Sequence, residues 1–230
     1  MNAKDFVNKI VEDNQALFEA SKHNVKAYFD SKPAQEELVE HFIGRMVNER
    51  MNMVEISRQV AELGADADPV ELQLLTQQAA DEAIHFRLVK EVIEHIQGSP
   101  VDVAAAIAKE AAKPTAKGAG LLAKYDAETD PVALAAYQLV AEGRAEAVWN
   151  QMADCIEDKF ISGAYARIAK DEGFHSKIGA RKLEQLITVE NVDRVQALVS
   201  AMRKDLYEIS CKNTVAADSG KQLVADAYGW

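Results

Sequence analysis

A chain of 230 residues that is 48% apolar can bury one large core or two small ones. Its net charge of −11 argues against a general nucleic-acid binder or an anionic-membrane binder, since either needs a basic surface. No stretch approaches the ~20 apolar residues that span a bilayer, and the start, Met1-Asn2-Ala3-Lys4-Asp5-Phe6, opens no long apolar run, so the reading is a cytoplasmic protein. Cys155 and Cys211 stand far apart and outside any C-x-x-C pair, which argues against a disulfide framework and against a Cys-rich zinc or rubredoxin site.

Apolar residues recur at helical spacing almost throughout and no stretch alternates as a strand does, so the fold class is all-α. A first helix is expected from about Lys4 to Phe29, with Phe6, Ile10, Leu17, Val25 and Tyr28 on its apolar stripe, ended by Asp30-Ser31-Lys32-Pro33. A long helix from about Ala34 to Leu63 carries Leu38, Phe42, Met46, Met53 and Ile56 inward. Gly64 stops it, and Asp68-Pro69 restarts the chain as N-cap and first helical residue. The next helix continues to about Gln97 and ends at Gly98-Ser99-Pro100; the short link makes the two an antiparallel pair.

From Val101 to Asp130 the text reads as a crossover carrying a short Ala-rich helix, Val103 to Ala112. The Lys117–Gly120 run lacks the strand before it and the Lys-Ser/Thr after it that a phosphate loop requires. Asp130-Pro131 repeats the earlier start signal and opens a helix to about Asp158. A break is expected at Ser162-Gly163, then a helix from about Ala164 to Leu186, and a further one opened by Thr188–Asn191 and running towards Cys211. A short helix near Gln222 to Ala227 closes the chain. The whole is read as a single domain, 1–230, around a four-helix core, 34–187.

The chemistry lies in two stretches that say the same thing: Asp81-Glu82-Ala83-Ile84-His85 and Asp171-Glu172-Gly173-Phe174-His175. On a helix, Glu and His three apart share a face, so a carboxylate oxygen and an imidazole nitrogen reach one metal ion. Each motif has a Glu upstream, Glu49 by 33 residues and Glu142 by 30. Glu49 and Glu82 each lie about sixteen residues from the turn at Gly64–Asp68, so both stand ~24 Å above it. The same holds less tidily for Glu142 and Glu172.

Glu49, Glu82, His85, Glu142, Glu172 and His175 therefore gather at one level as ligands for two ions such as iron or manganese, in Fe/Fe, Mn/Fe or Mn/Mn combinations. Burying six such groups without metal would be costly. Asp81 and Asp171, four residues before the histidines, have the spacing to hold an imidazole N–H and fix its tautomer. Glu55 and Glu146 have no counterpart in the other half and rank behind Glu49 and Glu142. His23, His41 and His95 show no ligand spacing and are read as facing solvent.

Through Glu49, Glu82-x-x-His85, Glu142 and Glu172-x-x-His175, over roughly residues 34–187, the chain resembles the ferritin-like di-iron carboxylate superfamily. Its paired Asp-Glu-x-x-His motifs look most like those of bacterial di-iron oxygenases and hydroxylases. The resemblance implies a four-helix bundle with added terminal helices, two iron ions, O2 as co-substrate, and carboxylates that shift between bridging and terminal modes. It also implies a small organic substrate and an electron donor of unidentified kind.

Met46, Met53, Ala79, Leu139, Ala145, Ile168 and Phe174 flank the ligands and would wall a pocket for a partly apolar molecule, with room beside Gly143. The alternative is a ferritin- or rubrerythrin-like protein that oxidises iron or reduces peroxide; the length and extra elements favour a monomer or homodimer over a cage subunit. A ribonucleotide-reductase-type radical protein would carry Tyr where this chain has Val89, although Tyr137, Trp149 and Tyr165 lie in the same region.

Overall fold

The computed structural model describes residues 2–113, 121, 124, 125, 127, 129–212 and 219–230, and among them there are helices and no strand. The crossover residues 114–120 and the link 213–218, including the Lys117–Gly120 run, lie outside the described residues. The chain gathers into two units, Pro33–Thr115 and a second made of Met1–Lys32 with Ala116–Trp230.

In the first unit, α3 (Gln35–Glu62) and α4 (Pro69–Gln97) form the expected antiparallel hairpin. Each end has a local cause. Glu37 Oε2 accepts from the Ala34 N–H, Asp68 Oδ1 accepts from the Val70 N–H with Pro69 at the first helical position, and Gly98 closes α4 at φ +69°, where a side chain would be strained. The short helix α5 (Val103–Ala111), capped by Asp102, packs on α3. Lys109 and Lys113 both reach Glu40, and Lys113 also reaches the buried Glu110.

The second unit holds α1 (Ala3–Asp13) and α2 (Gln15–Asp30), then α6 (Pro131–Tyr137), a π-helical turn (Gln138–Glu142), α7 (Gly143–Cys155), α8 (Lys159–Leu186), α9 (Val192–Lys212) and α10 (Lys221–Tyr228). α7 and α8 pair as a hairpin, α2 packs on α7, and α9 and α10 pack on α2. The core here is built from Phe6, Ile10, Leu17, Leu139, Leu183, Met202 and Leu206 with their neighbours.

Two expected boundaries are corrected. The first helix is not continuous, because it steps at Asn14, where the buried Arg203 donates from Nε to Asn14 Oδ1 (2.6 Å) and from a terminal guanidinium nitrogen to the Ile10 carbonyl (3.1 Å). The break expected at Ser162-Gly163 does not exist. The turn falls earlier, at Ile156–Asp158, and Asp158 Oδ1 caps α8 by accepting from Phe160 N–H (2.8 Å) and Ile161 N–H (3.2 Å). Gly163 is then an exposed residue inside the helix.

Candidate metal centre

In the first unit the register of α3 and α4 is fixed far from the site, where Gln35 Nε2 donates to the Ile96 carbonyl at 2.8 Å. Glu49 lies fourteen residues after Gln35 and Glu82 fourteen before Ile96, so an antiparallel pair brings the two level. One turn beyond Glu82, His85 points its Nδ1 to within 3.5 Å of Glu49 Oε2 and 3.7 Å of Glu82 Oε2. All three side chains are buried, with Glu82 and His85 at 0% exposure.

The second unit repeats the construction. The rings of Trp149 and Tyr165 meet across the α7–α8 hairpin at 4.9 Å. Glu142 is seven residues before Trp149 and Glu172 seven after Tyr165, so these two carboxylates are level as well. His175 Nδ1 lies 3.3 Å from Glu172 Oε2, and Glu142, Glu172 and His175 are all buried. Within each triad the ligand atoms all lie within 4.8 Å of one another, close enough for one ion.

The second triad sits on a feature that periodicity did not reveal. The helix carrying Glu142 widens into a π-helical turn whose last residue is Glu142 itself. Its cause is a close approach: the Cα of Gly179 lies where a Cβ would stand 2.6 Å from the Leu139 nitrogen and 2.8 Å from the Ala135 carbonyl. Ser176 Oγ donates to the Leu139 carbonyl at 3.1 Å, drawing on the backbone ladder at that point. A π turn shifts all later side chains around the helix by one residue, and such turns are frequent at functional sites.

Comparison with protein-family models, curated proteins and solved structures finds no match.

The residues present fit a metal on their own chemistry. Each triad sets two carboxylates and an imidazole together out of water, and Glu49 Oε2 makes no hydrogen bond among the described residues. Carboxylates brought this close repel when ionised, and a divalent cation held between them removes that cost and supplies the missing partner. Oxygen-rich sets with one imidazole suit iron and manganese, and the absence of thiolate disfavours a structural zinc site.

The two aspartates expected to hold the histidines are themselves engaged from their own helices. Asp81 Oδ1 accepts from Gln77 Nε2 at 2.9 Å, and Asp171 Oδ2 accepts from Arg167 Nε at 2.7 Å. Gln77 and Arg167 were not singled out from the sequence, though each stands four residues before its aspartate, the spacing of a helical pair. Glu55 is engaged by Arg58 through both carboxylate oxygens, and the Glu146 carboxylate fills the space that Gly173 leaves by lacking a Cβ.

Of the residues expected to wall a pocket, Met46, Leu139 and Ile168 are buried, Met53 and Ala145 are half-buried, and Phe174 is 39% exposed. Phe174 stands on the outer face of α8 rather than at a buried wall. His23 and His95 face solvent as expected, but His41 does not. Its Nε2 is buried, and burial, with a smaller contribution from the Arg45 charge, lowers its pKa to about 3. The misreading has a simple source: His41 adjoins the fully buried Phe42, at the edge of the inner face of α3.

Proposed function

We propose that the two triads together form a dinuclear iron site and that the protein is an O2-dependent oxidase or oxygenase of the ferritin-like type, acting on a small, partly apolar organic molecule. The observation that carries this reading is the repetition. Two buried triads of identical composition, Glu49 with Glu82 and His85 and Glu142 with Glu172 and His175, are each built on an antiparallel helix hairpin. A solitary buried Glu-His contact is common in helical cores, whereas two matching sets in one chain are the minimum a paired-metal bundle needs.

In this reading each histidine and its two glutamates would hold one ion. Bound iron would supply one-electron redox chemistry and the activation of O2. The chain's own contribution is positional. Arg167 holds Asp171, and Gln77 holds Asp81, which limits the rotamers open to the aspartates beside the ligands. Met46, Leu139 and Ile168, each about one helical turn from a ligand on the same strand of chain, keep water from the carboxylates.

The test begins with anaerobic loading with ferrous iron and a count of metal per chain. Two ions per chain, followed by O2 uptake that a candidate substrate accelerates, is the expected result. Fewer than one ion per chain would sink the reading. A very large particle in light scattering would favour the storage alternative over an enzyme acting on an organic substrate.

A further inference from the structure

The net charge of −11 conceals a local reversal on the outer face of α8. Phe160, Arg167, Lys170, Phe174, Lys177 and Arg181 are all exposed, and with the exposed Gly163 they recur at alternating intervals of three and four residues. They therefore form one continuous stripe about 31 Å long. The acids between Phe160 and Arg181 are Asp171 and Glu172, and both are buried. Arg167 is engaged with Asp171, but Lys170, Lys177 and Arg181 form no ion pair among the described residues. A row of unneutralised cations with two exposed phenyl rings is the composition of a protein-binding surface with an acidic partner, since charge steers encounter and aromatic rings supply contact area.

The position of the stripe says what kind of partner. Phe174 is the immediate neighbour of His175, and their rings lie 6.3 Å apart between centroids, one exposed and the other at 0% exposure. A molecule seated over Phe174 is thus one side chain away from a candidate metal ligand. A second copy of the chain, placed face to face, would oppose cations with cations. We propose that the outer face of α8, centred on Phe174, is the docking surface for a small acidic one-electron carrier protein, which delivers electrons towards His175.

The inference rests on the dinuclear reading and names its electron donor by chemistry. Inserting one oxygen atom from O2 into a C–H bond requires two electrons and two protons from outside, with the second oxygen leaving as water. Two encounters with a one-electron carrier balance that requirement, and the carrier is oxidised once in each.

The experiment uses the full-length, iron-loaded protein, with iron per chain measured on the same sample. Binding is measured against an acidic plant-type [2Fe–2S] ferredoxin and an acidic flavodoxin, with a basic c-type cytochrome and a short single-stranded DNA as comparisons. At least one acidic carrier should bind at low ionic strength, with affinity falling as salt rises, and the cytochrome should not.

The double substitution Lys170→Glu with Lys177→Glu should weaken binding by about tenfold or more while helicity and iron content stay at wild-type levels. Phe174→Ala should slow electron transfer within the complex by a larger factor than it weakens binding. The proposal is overturned if neither acidic carrier binds, if charge reversal leaves the affinity unchanged, if the DNA binds more tightly than either carrier, or if the wild type self-associates through a contact that charge reversal abolishes. Carrier binding that is sensitive to charge reversal, in a protein holding less than one iron per chain, would uphold the docking surface and overturn the metal reading instead.

Discussion

Two glycines on one helix put the packing beneath the second triad to a direct test. At Gly179 a Cβ would stand 2.6 Å from the Leu139 nitrogen, 2.7 Å from Gln138 Cβ and 2.8 Å from the Ala135 carbonyl, whereas ordinary contact begins at 3.4 Å. Two of these three neighbours are backbone atoms, so relief requires moving the π-helical turn away from α8 by roughly 0.8 Å, the difference between those distances. Replacing Gly by Ala inside a helix favours folding by about 1 kcal/mol, and overpacking of this kind costs about 1–3 kcal/mol.

The variant Gly179→Ala should therefore lose up to about 2 kcal/mol. Gly163→Ala meets nothing within 4 Å and should gain about 0.5–1 kcal/mol. In thermal and urea melts of both variants side by side, Gly179→Ala should melt a few degrees below wild type and Gly163→Ala slightly above it, at about 2–4 °C per kcal/mol for a chain of this size. Because the turn carries Glu142, Gly179→Ala should also weaken metal binding, read by titration of the apoprotein. If Gly179→Ala proves as stable as Gly163→Ala, the close approach is not what sets the π turn.

Removing a ligand should separate the metal site from the thiols: Glu82→Ala and His175→Ala should each hold fewer than two irons per chain and lose O2 uptake, and Cys155→Ser should change neither. Two irons retained in both ligand variants would refute the ligand assignment. His41 should make stability depend on pH, with the sign set by its lowered pKa. Between pH 6.5 and about 3 the unfolded chain binds a proton that the folded chain refuses, so stability falls with acidification by up to about 1.4 kcal/mol per pH unit and the contribution is fully present only above 6.5. An NMR titration of His41 with a midpoint near 6.5 would remove the cause. Arg203→Met should cost about 2–4 kcal/mol, since it strips buried, charge-assisted hydrogen bonds from Asn14 and from the Ile10 carbonyl; a loss below 0.5 kcal/mol in urea unfolding would show that water replaces them.

The parts of this molecule that could be read in advance are those whose causes are local. Asp68-Pro69 and Asp130-Pro131 start helices because the cap acts over two or three residues, and Gly98 ends one because its own φ is positive. The level placement of Glu49 with Glu82 followed from counting to a short turn. For Glu142 and Glu172 the count is untidy about a turn at Ser162-Gly163 and comes out even about the actual one, Ile156–Asp158.

What escaped the sequence depends on distant partners. The step at Asn14 is imposed by Arg203, 189 residues away, and the π turn by Gly179 and Ser176 on another helix. The basic stripe on α8 was hidden in a different way, because a sum of charges over a whole chain does not register a face where one sign is buried and the other is not.

Tyr228, in the last helix, accepts from the Leu17 N–H and donates to the Asp13 carbonyl at the step between the first two helices. One unit is thus stitched from two separate stretches of sequence, Met1–Lys32 and Ala116–Trp230, while the other is an uninterrupted insert. During synthesis at about 5–20 residues per second, the partner of Leu17, 211 residues further on, is made about 10–40 s after it. The insert can fold as it emerges, but α2, with the buried Leu17, Ala20 and Val25, gains α7 only after the insert has been made and α9 and α10 later still. In a growing cell, the stretch most in need of a chaperone's shelter is therefore the one that precedes the insert.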